Sequence, residues 1–437
     1  MNKINKNLLL FIFCIFLFSC SFGPGTKVWN DLSKELEIAK DRKNTKLIFS
    51  SSQKFKEKIK SNKVITISKP YKNKNWNQQN LSNGNHVPNL SYQNKKNLIF
   101  KSKKLGKNSF DLYDVDFQPL IENDIVVFYD PSGTIFSYSV DQERLIWKYN
   151  FYKKRYKNIP KEINLYISSN NLIVSDNLGF VYSLDKSSGN IEWAKSYGVP
   201  FKSNIKIGES NIFLVNQDNK FYALDEYKGE QRLDLETVPS FLKSNNKSNI
   251  SLDSTKKNVF FITSAAEIYS LNYKNRNINW LFNLTGGAFD KQVDLFYSSP
   301  IIYSEDEIFL STSISSFSMN SKNGALNWEF PFSTKIRPVV LEKYVFLISK
   351  EGFLINLDRK KGKVVWSQNL FRGSKKLKHN KAGDITSILL ISDQIFVTTT
   401  NGYALGNEEE VFIDIDSMNK VFVRAASTGF TASFIAS

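Results

Sequence analysis

A nine-residue phrase constrains this chain more than any other feature. In "DKSSGNIEW", Asp185, Gly189 and Trp193 stand at D-x3-G-x3-W spacing. "DEYKGEQRL" repeats it as Asp225, Gly229 and Leu233, with leucine in place of tryptophan. "NYKNRNINW" gives Asn272, Arg276 and Trp280, without the glycine. "NSKNGALNW" gives Asn320, Gly324 and Trp328, and "DRKKGKVVW" gives Asp358, Gly362 and Trp366. "VDQERLIW", Asp141 to Trp147, is a shortened first copy. Successive last residues lie 46, 40, 47, 48 and 38 positions apart. A phrase that recurs in this way marks an architecture, not a single site.

The residue types explain the recurrence. Asp or Asn opens a tight turn by accepting hydrogen bonds from nearby backbone N–H groups. Glycine takes φ > 0, which the return into the next strand needs. The tryptophan falls on an outer strand, where its ring buries area against the neighbouring unit. Leu233 fills less volume, so its junction is expected to be weaker. Each phrase follows a bulky alternating strand ("GFVYSLD", "KFYALD", "EIYSLN", "GFLINLD"). Another strand precedes that one ("NNLIVSD", "SNIFLVNQ", "KNVFFITS", "DEIFLSTS", "KYVFLISK"), and some copies add an earlier one after proline ("SSPIIYS", "IRPVVLE"). Four short strands in about 40–45 residues make a propeller blade, and beyond Trp76 no stretch has helical periodicity, so the fold class is all-β; before it, "KVWNDLSKELEIAKDRK" is compatible with one short helix.

The first residues read as an export signal. Lys3 and Lys6 precede "LLLFIFCIFLF", an apolar run of 11 residues that is too short to span a bilayer. The run ends in "LFSC", which resembles a bacterial lipobox with Cys20 as the acylated residue. Three segments are expected: a lipoprotein signal peptide over 1–19, a lipidated Cys20 with a basic flexible tether over 20–75, and a propeller over 76–437. Cys14 leaves with the signal, so the mature chain keeps one cysteine and cannot form an internal disulfide. The net charge of +17 suggests nucleic acid, but its placement argues otherwise. Lys3 and Lys6 contribute two charges, and the 14 basic and 5 acidic residues of 27–74 contribute nine more. Six remain for the folded part, so no nucleic-acid partner is expected. Two histidines exclude a His-rich zinc centre. His86, in "NGNHVPN", is expected to be a hydrogen-bonded turn residue, and His379 to lie solvated in a loop.

"SLDKSSGNIEW" and "NLDRKKGKVVW" resemble the pyrroloquinoline-quinone-type (PQQ-like) β-propeller repeat. With the lipobox, the tether and "NWNQQNLSNGNH", the chain is similar to the outer-membrane protein assembly factor BamB family. The resemblance implies an eight-bladed ring closed by an N-terminal strand, here assigned to Asn97–Leu105. Seven blades are recognisable, the seventh running from "SILLIS" to "VFIDIDSMNKVFVR". A partial eighth is expected to start at "FTASFIAS", with about two terminal strands missing.

The resemblance further implies a non-enzymatic lipoprotein on the periplasmic face of the outer membrane, since Ser21 rather than Asp follows Cys20. No cofactor or metal is expected. The implied partner is the barrel-insertion protein BamA, through its periplasmic domains, with nascent outer-membrane proteins as further clients. Two inter-blade loops are the candidate contacts: Phe241, Leu242 and Lys243 in the first, and Asp290 and Asp294 in the second. One alternative is a PQQ-dependent dehydrogenase. Such enzymes are longer and use a calcium held by acidic residues, a catalytic Asp and often a vicinal disulfide. A second alternative is an unrelated periplasmic propeller adaptor.

Overall fold

The computed structural model describes residues 55, 57–60, 65, 67–92, 98–102, 105–106, 118–237, 247–284, 297–371, 378–392, 394–401, 403–405, 410–412 and 422–424. All belong to one compact unit beginning at Lys54. Its described strands form seven four-stranded antiparallel sheets and one two-stranded sheet. In every four-stranded sheet the spatial order is the chain order, so each is an up-and-down blade.

Blade one comprises Leu120–Glu122, Ile125–Tyr129, Thr134–Ser139 and Arg144–Asn150, from inside outwards. The outer strands of blades two to six are Ile191–Ser196, Gln231–Leu235, Asn277–Asn283, Leu326–Phe330 and Val364–Asn369. Blade seven runs Ile385–Ile391, Gln394–Thr399, Tyr403–Leu405 and Glu410–Phe412.

Side-chain alternation binds the blades together. In Asn258–Ile262 of blade four, Val259 and Phe261 join the apolar cluster shared with blade three. Phe260 and Ile262 join the cluster shared with blade five. Each middle strand thus has two buried faces, which is why it reads as a continuous apolar run. Outer strands turn a tryptophan or leucine inward and leave most other residues exposed, Ile146, Ile191, Ile278, Leu281 and Leu326 among them. In Arg144–Asn150 only Trp147 is buried.

The eighth sheet pairs Leu98–Lys101 with Phe422–Arg424, so an N-terminal strand meets a C-terminal one. This corrects the sequence reading of the C-terminal side. "VFVR" is not the end of blade seven but the eighth sheet's strand, and blade seven ends with Glu410–Phe412. "FTASFIAS" lies outside the described residues.

Part of the segment read as tether packs on the blades. The Phe55 ring lies 5.3 Å from Phe330 and 6.2 Å from Phe353. Ile59 N–H donates to Ser367 Oγ at 3.0 Å, and Ser367 N–H donates to the Ile59 carbonyl at 3.0 Å. Ile65 and Ile67 join the cluster between blades six and seven.

Candidate functional site

The repeated phrase forms a joint between successive blades. Asp185 Oδ1 accepts from Ser188 Oγ and Ser188 N–H at 2.7 Å each, and these bonds hold its carboxyl below the usual range. Asp225 Oδ1 accepts from the N–H of Tyr227 at 2.8 Å and of Lys228 at 2.7 Å. Asp358 Oδ1 accepts from the N–H of Lys360 and Lys361. Each turn brings round a glycine at positive φ: 75° at Gly189, 64° at Gly229, 71° at Gly324 and 62° at Gly362.

Against each of these glycines lies the tryptophan of the preceding blade. A Cβ on Gly189 would come within 2.6 Å of Trp147, and one on Gly324 within 2.7 Å of Trp280. Gly229 has no room because of Trp193, and Gly362 because of Trp328. The indole N–H then donates to the carbonyl one residue past the Asp or Asn. Trp147 bonds Lys186 at 2.9 Å, Trp193 bonds Glu226 at 3.1 Å, Trp280 bonds Ser321 at 2.9 Å and Trp328 bonds Arg359 at 2.7 Å. Trp366, on blade six, packs 5.9 Å from Phe346.

Between blades three and four both halves of the joint change together. Leu233 replaces the tryptophan, and Arg276, at φ 62°, replaces the glycine. The space is filled from the opposite direction: Tyr273 of blade four is buried with its ring 4.9 Å from Phe213 of blade three.

A central segment, Trp76–Tyr92, visits the blades in order. Trp76 bridges Ile121 of blade one, and Gln78 bridges Tyr166 of blade two. Lys206 of blade three is buried with no carboxylate partner among the described residues, and donates to Gln78 Oε1 at 2.8 Å and the Ser82 carbonyl at 2.7 Å. Burial holds its ammonium well below the usual lysine range. Asn85 Nδ2 donates to the carbonyls of Ile250 in blade four at 2.9 Å and of Ile301, beside blade five's inner strand, at 2.8 Å. His86 Nε2–H donates to Val340 O of blade six at 2.9 Å. Leu90 N–H donates to Leu390 O of blade seven at 3.0 Å. Burial lowers the His86 pKa, and Arg337 and Arg359 push the same way, so the ring is neutral at pH 7. His379 is not free in solvent: Nε2 lies 3.0 Å from Asp384 Oδ1, and Phe371 packs on the ring.

The outer-to-inner crossovers share one end of the blades with the turns joining each second and third strand. Lys161 N–H, in the first crossover, donates to Pro131 O in blade one's turn at 3.0 Å. A second set of side-chain caps, not recognised in the sequence, holds these turns. Asp130 Oδ1 accepts from Thr134 N–H, Asp176 Oδ1 from Leu178 and Phe180, and Asn216 Oδ1 from Asp218 and Lys220. "DPSG" and "DNLG" carried that signal.

Phe241, Leu242, Lys243, Asp290 and Asp294 lie outside the described residues, as does Cys20. The stems of both candidate loops are described, and they flank one turn of blade four. Asn219 Nδ2 donates to Ser264 Oγ at 2.8 Å, and Thr237 Oγ1 donates to Asn219 O at 3.0 Å, fixing the first stem. Leu284 N–H, at the second, donates to Ala266 O at 2.9 Å.

Among the described residues no three His, Cys, Asp or Glu lie together as a metal group. Between the central segment and the inner strands, the amides of Gln78, Asn83, Asn85 and Asn204 bond to one another and to the carbonyls of Ile207 and Ile250.

Radial four-stranded blades, joined by tryptophan–glycine contacts, define the class: a PQQ-like β-propeller. The family model described as outer membrane protein assembly factor BamB matches residues 131–368. The chain belongs to that family. Among solved structures it is similar to BamB from Moraxella catarrhalis, at 16% identity and TM-score 0.57, over 77% of this chain and 93% of that one. It is also similar to a quinohemoprotein alcohol dehydrogenase from Comamonas testosteroni, at 11% identity and TM-score 0.56, over 78% of this chain and 72% of that one. No curated protein matches it by sequence.

Proposed function

We propose that this chain is a non-enzymatic scaffold of outer-membrane β-barrel assembly, docking through its crossover face onto the periplasmic domains of BamA. It is held at the periplasmic face of the outer membrane by a lipid on Cys20. The carrying observation is the placement of the two loop stems: Thr237 and Leu284 bracket the Ser264–Ala266 turn, so the loops they lead into spring from adjacent crossovers. Two loops on a stiff sheet scaffold suit recognition. Phe241 and Leu242 supply the apolar contact, Lys243, Asp290 and Asp294 the charged one. Membership of the BamB family supports the partner.

Co-purification with BamA tests the reading. Wild type is expected to retain BamA, and the Phe241→Ala/Leu242→Ala pair to lose at least about tenfold in affinity. No retention by wild type would remove the assignment. Undiminished binding by the pair would remove only the loop. Quinone-dependent alcohol oxidation with Ca²⁺ would favour the dehydrogenase reading.

A further inference from the structure

The crossover from blade one to blade two, "FYKKRYKNIPK", spends buried polar groups to hold charge outward. Phe151 stacks on Tyr182 at 4.4 Å, and Tyr152 Oη donates to Asp176 Oδ2 at 2.7 Å. Lys161 turns inward and is fully buried. Its Nζ donates to the Tyr156 carbonyl at 2.7 Å and to that of Ile159, and lies 4.8 Å from the Tyr152 ring centroid. These contacts hold the 3-10 turn Lys154–Tyr156 from beneath.

The turn points cations into solvent. Lys153, Lys154, Arg155 and Lys157 are all exposed, as are Lys148 and Lys195 at the same end of the adjoining outer strands. Among the described residues none of these six pairs with a carboxylate. Arg155 instead lies over the Tyr156 ring at 4.6 Å. Elsewhere lysines do find acids across blade seams: Lys186 with Glu122 at 2.7 Å, Lys257 with Glu209 at 2.5 Å, and Lys256 with Asp306. Ile159, 40% exposed, stands among the unpaired cations. A rigid basic turn beside an exposed aliphatic side chain matches a surface that is anionic outside and apolar just beneath.

We propose that this corner is a second membrane contact, binding anionic phospholipid headgroups while Ile159 enters the interface. The membrane setting rests on the lipid-anchored reading above. Lys–headgroup attraction is additive and screened by salt, so several cations on one corner bind far better than one. A corner held in this way would fix the rotation of the propeller against the bilayer, which one N-terminal lipid cannot do.

The test uses the mature chain, starting at residue 20 and carrying Cys20→Ser, so that neither the apolar signal nor a lipid binds for it, in sedimentation with two vesicle types. One is phosphatidylcholine alone and the other contains about one quarter phosphatidylglycerol. The proposal expects binding to the anionic vesicles only, with the partition coefficient falling about tenfold or more in Lys153→Glu/Lys154→Glu/Arg155→Glu/Lys157→Glu. The same four sites changed to Gln are expected to give an intermediate loss. A charge-matched control, Lys228→Glu/Lys274→Glu/Lys361→Glu/Lys363→Glu, reverses exposed lysines at the opposite end of the blades and should stay within about twofold. Equal loss in the control would mean that net charge alone acts, and would overturn the proposal. Retained binding by the first variant, or equal binding to neutral vesicles, would overturn it as well. BamA retention by the same proteins, expected to be unchanged, separates this result from failure of the scaffold reading.

Discussion

The Trp193 indole occupies the space where a side chain on Gly229 would stand, and its N–H donates to Glu226 O at 3.1 Å. One contact thus uses two copies of the repeat, because the tryptophan ends one blade and the glycine turns the next. Neither residue can change alone. Gly229→Ala adds a methyl against the ring at φ 64°, and is expected to cost about 2–4 kcal/mol in chemical denaturation. Trp193→Ala is expected to cost about 3–5 kcal/mol. The double variant should cost clearly less than the two together, because the alanine at 229 then meets no ring.

Blades three and four give the converse experiment. Leu233→Trp alone is expected to destabilise by about 1–3 kcal/mol, since Arg276 carries a Cβ at the joint and Tyr273 fills the space beside it. Adding Arg276→Gly removes that Cβ and a left-handed non-glycine residue. A favourable coupling of about 1 kcal/mol or more is expected from the denaturation cycle.

Asn85 joins two blades through one amide. Asn85→Ala leaves the carbonyls of Ile250 and Ile301 without that donor and takes the Asn85 Oδ1 acceptor from Asn204 Nδ2. Its expected cost is about 3–5 kcal/mol, with hydrogen exchange rising first on the inner strands of blades four and five.

His86 makes stability fall in mild acid. Its folded pKa lies below 6.5, so at pH 7 it is neutral in both the folded and unfolded chains. Below pH 6.5 the unfolded chain takes up a proton that the folded chain resists, and stability drops as pH falls. Wild type is therefore expected to lose more stability than His86→Gln between pH 7 and pH 5, read from parallel denaturation curves.

Local chemistry made the blades legible. Asp358, Gly362 and Trp366 lie within nine residues, and each middle strand alternates between two buried faces. What escaped notice depends on distant partners. "NWNQQNLSNGNHVPNLSY" reads as a turn-rich stretch because its partners, amides and the His86 ring alike, lie in blades far along the chain. Phe55, Ile59, Ile65 and Ile67 are spaced among lysines, which hid an apolar stripe inside a basic segment. "VFVR" reads as the next strand of blade seven because nothing local shows that its partner is Leu98–Lys101. The proposed docking residues Phe241 and Asp290 rest on loop character and family resemblance, and the structure describes only the stems before them, beside Ser264 and Ala266.

Titration calorimetry of the unlipidated full chain with the periplasmic domains of BamA tests the scaffold assignment most directly. The account predicts saturable one-to-one binding, weakened at least about tenfold by Phe241→Ala/Leu242→Ala with the melting temperature unchanged. No heat of binding from a folded wild-type chain would contradict it.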